Sequence, residues 1–356
     1  LRRLLWFLPW VLAACGGGQT ERRFVEMSFD TAFVFGGPAD TVLNRLGGMR
    51  AFLDGVVATD WDTGRLVFIS GDGTMCWLHE QRGQGPFEIN RPWDVVESAS
   101  GTLYVLDANN VKLVELSAEG APIREERLPS LPGIPWGLVE ARAGELLLMD
   151  ARGRGLRWWP WKEGAPHEPL VPLPYPDSLP PGGLMRQIMV SPGTKEGTWV
   201  AGMLFGPRWW INRYGQAAEV YDFVHKPGYR RTGELIDVGG GMQIMNTPPQ
   251  ESHIGAGSIA VENTDIWVLS GGGLGTEEAY GSLVDVYGLE TGEYRYSFRT
   301  PTAETASHTT RLARKGDRVY LLYEDPWVRI LALDLRNPDG GPGTGSGGTP
   351  GDIRAP

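Results

Sequence analysis

The chain has two cysteines in 356 residues, Cys15 and Cys76. That excludes a disulfide framework as the source of its stability. Histidine is scarce as well, five in all, which limits both acid–base and metal chemistry. The net charge is −10, and beyond the extreme N-terminus no basic cluster exceeds short pairs such as Arg230-Arg231. A nucleic-acid partner is excluded on that ground. No apolar run reaches the roughly 20 residues of a membrane-spanning helix, the longest being Leu4 to Leu12. There is no G-x-S-x-G elbow and no assignable Ser-His-Asp order. The triple glycines at Gly239–Gly241 and Gly271–Gly273 open no helix and carry no Lys-Ser/Thr, so they are not phosphate loops.

Turn formers and aromatics are abundant: 50 Gly, 27 Pro and 14 Trp. Sustained helical periodicity is missing, and the composition points to an all-β fold. At the N-terminus Arg2 and Arg3 precede the short apolar run, which ends in Leu12-Ala13-Ala14-Cys15. A basic start, an apolar core and small residues before a cut make residues 1–14 a secretory signal. The "LAAC" stretch resembles the lipobox of bacterial lipoproteins. The resemblance implies cleavage before Cys15 and acylation of that cysteine, and two or more acyl chains suffice for a stable anchor. Residues 15–23 read as a flexible tether, 24–336 as the globular part and the Gly/Pro-rich 337–356 as a disordered tail. With Cys15 lipidated, Cys76 stands alone; its setting, "TMCWL", reads as a strand with a buried small hydrophobe.

One unit recurs through the globular part: an apolar strand, a polar turn, a second apolar strand and a closing glycine. Its copies span Asp54–Gly73, Gly101–Gly120, Gly144–Gly164, Gly197–Gly215, Asp265–Gly292 and Asp317–Gly340. The closing glycines are spaced by 47, 44, 51, 77 and 48 residues. Such a period is that of propeller blades, and each closing turn is expected to need positive φ. The expected fold is a six-bladed β-propeller of four-stranded antiparallel blades. In the second unit the strands fall near Trp93–Glu97, Thr102–Asp107, Val111–Ser117 and Ile123–Arg127. The sixth unit runs into the tail without a fourth strand. The β-prone segment Phe24–Phe35 is therefore expected to supply it and close the ring.

The sequence is similar to the bacterial six-bladed β-propeller lipoproteins related to NHL-repeat proteins. The carriers are "GQGPFEINRPWDVV" (Gly83 to Val96), like that family's G-x-G-P-x-E linker, and the strand–Asp–strand–Gly unit at Leu103, Val105, Asp107, Leu113 and Gly120. The pattern departs at Gly202-Met203 and Ser270, where the Asp is missing. The resemblance implies a cell-envelope location, at the outer membrane facing the periplasm or the surface in a two-membrane cell.

Function in a propeller concentrates at the mouth of the central channel. Counted back from each second strand, the entry positions hold Arg50, Trp93, Asp94, Trp136, Arg186, His253 and His308. Aromatics, arginines and imidazoles suit a polar ligand. His253 and His308 could hold a metal, Zn or Ca, or act as acid and base, as in related propeller lyases. A third entry-position histidine is missing, because His79, His167 and His225 fall in outer strands or connections. Polar loop histidines facing water are the alternative, and no cofactor is expected. "DANN", Asp107 to Asn110, suits a tight turn rather than a calcium loop. Trp158-Trp159 and Trp209-Trp210 are expected to pack blade on blade. The insertion 225–252 is either a loop on the binding face, with Tyr229, Arg230 and Arg231, or a hairpin over an edge. The functional expectation is a lipid-anchored envelope propeller that binds a small ligand or a protein at the channel mouth without catalysis. The alternative is a metal-dependent lyase or hydrolase of the NHL type.

Overall fold

The structure is a computed structural model describing residues 21–39, 42–128, 137–149, 155–161, 170–175, 187–204, 206–224, 234–237, 243–246, 256–270, 281–301, 309–324 and 327–336. Among them, six four-stranded antiparallel sheets follow one another along the chain. Blade 1 is β2 (Leu46–Phe52), β3 (Gly55–Asp60), β4 (Arg65–Ile69) and β5 (Met75–His79). Blade 2 is β6 (Pro92–Glu97), β7 (Leu103–Asp107), β8 (Lys112–Leu116) and β9 (Pro122–Arg127). Blade 3 is β10 (Leu138–Arg142), β11 (Glu145–Met149), β12 (Gly155–Pro160) and β13 (Leu170–Pro172). Blade 4 is β14 (Ile188–Pro192), β15 (Thr198–Met203), β16 (Arg208–Arg213) and β17 (Glu219–Asp222). A two-stranded hairpin, β18 (Glu234–Asp237) and β19 (Gln243–Asn246), lies in the 225–252 insertion. Blade 5 is β20 (Ser258–Glu262), β21 (Asp265–Ser270), β22 (Leu283–Gly288) and β23 (Tyr294–Arg299). Blade 6 is β24 (Thr309–Lys315), β25 (Arg318–Tyr323) and β26 (Arg329–Leu335), completed by β1 (Phe29–Gly36) from the start of the chain.

The expected fold, count and closure are all observed. The borrowed strand pairs antiparallel with β26, Phe29 opposite Leu335 and Gly36 opposite Arg329. Its start is later than the expected Phe24, because that residue instead bridges Ser297 in the outer strand of blade 5. The N-terminal segment therefore straddles blades 5 and 6. The innermost strands meet their neighbours around the whole circle, β2 with β6, β6 with β10, β10 with β14, β14 with β20, β20 with β24 and β24 with β2.

Alternation along the strands explains the ring. In β7, Leu103 and Val105 pack towards blade 1, while Tyr104 and Leu106 pack towards blade 3. In β21, Ile266 and Val268 face blade 4, and Trp267 and Leu269 face blade 6. A sheet with two apolar faces must be covered on both. Six buried clusters result, one between each pair of adjacent blades. Each fully buried aliphatic side chain in them contributes about 1.5–3 kcal/mol. Trp159, Trp209 and Trp210 sit in these clusters and serve blade-to-blade packing, while the Trp158 side chain lies outside what the structure describes.

The closing glycines Gly73, Gly120, Gly215 and Gly292 all have positive φ, as expected; Gly164 and Gly340 lie outside the described residues. A second reason emerges at Gly120, where a Cβ would come within 2.8 Å of the Trp77 ring on the outer strand of blade 1. Gly73 meets Phe33 of β1 in the same way, and Gly292 meets Tyr221 of β17. Each of these three glycines thus seats an aromatic from the preceding blade, whereas Gly215 meets nothing within 4 Å. The Trp77 indole also donates to the Ala118 carbonyl at 2.9 Å, tying blade 1 to the turn of blade 2.

One expectation fails. Cys76 is exposed. It lies on β5, the outermost strand of its blade, where the ring covers only part of the surface.

The N-terminal segment is also pinned by charge. Arg22 donates from Nε and a terminal nitrogen to the Asp285 carboxylate, both at 2.9 Å, and to Ser270 Oγ at 3.0 Å. The Asp285 side chain is fully buried. Removing one partner of a buried pair costs about 3–5 kcal/mol, mostly from the stranded charge. We expect Arg22→Met to lose about 3 kcal/mol in urea unfolding, and Arg22→Met/Asp285→Leu to regain most of it. A single-variant loss below about 0.5 kcal/mol would contradict the role of this pair.

Candidate functional site

The central channel is bridged near its middle by one side chain. Arg50, on the innermost strand of blade 1, donates from one terminal nitrogen to Asp94 Oδ2 of blade 2 at 3.2 Å. The same nitrogen reaches the Val190 carbonyl of blade 4, on the opposite side of the ring, at 3.1 Å. Its other terminal nitrogen reaches the Met49 carbonyl at 3.3 Å. Asp94 accepts further bonds from the backbone N–H groups of Val95 at 3.0 Å and Leu138 at 3.1 Å. Burial raises the Asp94 carboxyl above its ordinary pKa, and Arg50 and the two N–H donors offset this only in part. Blade 1 comes close enough for this bridge because β2 carries Gly47 and Gly48. A Cβ on either would strike the Trp93 carbonyl or Asp94 at about 2.8 Å.

Two cavities open around the bridge, and Arg50 lines both. The cavity at the side where the innermost strands begin has a volume of about 230 Å³. Arg50, Asp94 and Arg311 supply its charge, Trp93 an aromatic ring, and Met149, Ile188, Met189 and Leu204 apolar wall. The cavity at the opposite side is larger, about 410 Å³, and lies among the ends of the same strands. Its cations are matched: Arg142 with Glu145 and Glu196, Lys195 with Glu290, Arg314 with Asp265, and Lys315 with Glu97. Glu140, raised above its ordinary pKa by burial, accepts from Ala99 N–H and Gly144 N–H.

The loops entering the innermost strands are fixed by the aspartates of the repeat. The buried Asp60 accepts from the backbone N–H groups of Asn44, Arg45, Asp62 and Thr63. Asp107 does the same for Asn90, Arg91 and Asn110, and takes the Asn110 amide at 2.7 Å. "DANN" is therefore turn chemistry, and the aspartate's second task is to hold the strand entry. Those entries place Arg45 and Arg91 over the Trp61 ring, 4.3 and 4.5 Å from its centre. The Trp61 ring meets Trp93 edge-on at 5.2 Å. The Gly83–Glu88 linker is held by the buried Lys112, which donates to the Gly85 carbonyl at 3.1 Å and to Glu125 at 2.7 Å.

Of the residues singled out in the sequence, Arg50, Trp93 and Asp94 come together on the first cavity. Trp136, Arg186, His253 and His308 lie outside the described residues, as does Cys15. His79 is on β5, in the outermost layer, away from the channel. No group of three metal-ligating side chains occurs among the described residues. Arg311, Arg45 and Arg91 were missed. Arg311 lies three positions past the entry inferred for the sixth blade, inside β24. Its signal was a charge interrupting an innermost strand, where the channel is the only polar destination.

No family model and no curated protein matches the chain. Its six sheets define its class, the six-bladed β-propeller, and solved structures share the fold. A putative exported protein of Bacteroides fragilis superposes with TM-score 0.54 at 11% identity, covering 88% of this chain and 95% of its own. Virginiamycin B lyase of Staphylococcus aureus superposes with TM-score 0.52 at 12% identity, covering 87% and 100%. The WD40 repeats of RRP9 superpose with TM-score 0.52 at 9% identity, again covering 87% and 100%. Identities this low establish the fold alone.

The bridge makes a pH-dependent prediction. Arg50→Met removes the offset to burial, so the folded-state pKa of Asp94 rises further. A carboxyl whose pKa is raised on folding contributes stability at low pH that is lost as pH rises through the folded value. The deficit of Arg50→Met against wild type, by urea midpoint, is expected to be about 3 kcal/mol near neutral pH and smaller at about pH 4.5. Equal deficits at the two pH values would contradict the Arg50–Asp94 coupling.

Proposed function

We propose that this chain is a lipid-anchored propeller of the cell envelope that binds a ligand at the mouth of its channel without catalysis. The observation that carries this reading is the cavity of about 230 Å³ that gathers Arg50, Trp93 and Asp94 at the strand entries. It is concave and mostly apolar, with a few convergent polar groups, as small-ligand sites are. Its floor is closed by a bridge whose two charges satisfy each other, which suits holding a ligand rather than passing one. The anchor rests on Leu12-Ala13-Ala14-Cys15 and the short tether behind it. Membership of the NHL-like envelope lipoproteins rests on the linker at Gly83–Glu88 and the repeated aspartates.

The second reading is a metal-dependent lyase or hydrolase with His253 and His308 at the same mouth. Its support is the pair of histidines that the repeat pattern of the sequence assigns to entry positions, and the shared fold of virginiamycin B lyase.

Three measurements on the full chain test the proposal. Radiolabelled palmitate is expected to enter wild type and not Cys15→Ala. Elemental analysis of tagless protein is expected to find no stoichiometric metal; bound Zn or Ca lost in His253→Ala/His308→Ala would favour the enzyme reading. In a small-molecule thermal-shift screen, hits are expected to vanish in Trp93→Ala and persist in Glu97→Gln, on the opposite cavity. Hits lost only in Glu97→Gln would move the site to the other mouth.

A further inference from the structure

Building on the reading of the strand-entry cavity as the binding site, we propose that its ligand is a small monocarboxylate with a short apolar tail, held by Arg311. The two cavities differ in charge balance. In the larger one every cation has an acid within 4 Å. In the smaller one Arg50 is matched by Asp94, but Arg311 forms no ion pair among the described residues. Its bonds are to backbone carbonyls, from Nε to Gly47 at 2.9 Å and from NH1 to Thr310 at 2.8 Å. Neutral carbonyls fix the plane of the half-buried guanidinium, and Asp94, the carboxylate that feels its charge, is already ion-paired with Arg50. A desolvated charge of that kind calls for a counter-charge.

The count of charges sets the ligand's. Among the described residues that line this cavity, Arg50 and Arg311 against Asp94 leave one positive charge, which one carboxylate neutralises. Arg311 NH2, not engaged by either carbonyl, is a donor with fixed direction, and planar guanidinium–carboxylate pairing suits it. Met149, Ile188, Met189 and Leu204 make most of the remaining wall apolar, with Gln187 as a polar exception, so the rest of the ligand should be mainly apolar. The volume of about 230 Å³ is that of roughly eight waters at about 30 Å³ each, or an acid of similar heavy-atom number. Outside the mouth, Arg45 and Arg91 on Trp61 form no ion pair among the described residues.

The test is calorimetric titration of the full chain with hexanoate, hexanamide, hexylamine and inorganic phosphate. Hexanoate is expected to bind one per chain, and the amide and amine at least about tenfold more weakly, the loss of one charged hydrogen-bonding contact. Arg311→Gln is expected to weaken hexanoate by at least about tenfold, Arg311→Lys by less, and Lys315→Gln in the other cavity not at all. The Lys variant carries the test should the Gln variant not fold. Equal binding of hexanamide, or of hexylamine, would overturn the anion assignment while leaving the mouth a binding site. Phosphate binding tighter than hexanoate would overturn the apolar tail. Hexanoate binding that ignores both Arg311 variants but disappears in Trp93→Ala would keep the cavity and overturn the residue. Absence of hexanoate binding to wild type overturns the inference outright.

Discussion

The pairing of β1 with β26 is the contact on which the rest of the molecule depends. A blade with two apolar faces is unstable alone, so each blade needs a neighbour on both sides, and only a closed circle gives every blade two. Blade 6 has three strands of its own, and its fourth comes from some 300 residues earlier in the chain. No disulfide substitutes for it, since Cys76 is a free thiol. The Arg22–Asp285 pair and the Phe24–Ser297 bridge extend the closure onto blade 5, so the N-terminal segment fastens two blades.

Closure also builds the site. Six innermost strands held edge to edge leave a channel narrow enough for one arginine to reach from blade 1 to blade 4. The Arg50 bridge stands between two cavities and lines both. The same strand entries that the buried Asp60 and Asp107 hold in place carry Trp93 and Asp94 into the first of them. Charge compensation then separates the two: among the described residues each cation of the larger cavity has an acid within reach, whereas Arg311 of the smaller one forms no ion pair.

Much of the architecture was legible because it rests on short-range rules. The glycine spacing gave the blades, since each closing turn needs positive φ, and the strands of blade 2 fall within a residue or two of expectation. The missing fourth strand after Leu335 pointed to Phe24–Phe35. What escaped depended on three-dimensional neighbours. Cys76 has the sequence surroundings of a core residue, yet β5 is an outer strand. The seat that Gly120 makes for Trp77 joins residues of different blades. Arg311 was passed over because entry positions were counted in loops, whereas the channel is lined from inside the strands. Arg50, Trp93 and Asp94 were found because in blades 1 and 2 the positions counted back from the second strand fall inside β2 and β6.

The central claim is that the ring is one cooperative unit locked by its borrowed strand. Amide hydrogen exchange tests it directly. If closure holds the ring, the β1 amides that pair with β26 exchange only through global opening, as slowly as those of β25 at the centre of the same blade. Rapid exchange along β1 while β25 and the innermost strands remain protected would show that the circle stands without its clasp, and would contradict the account.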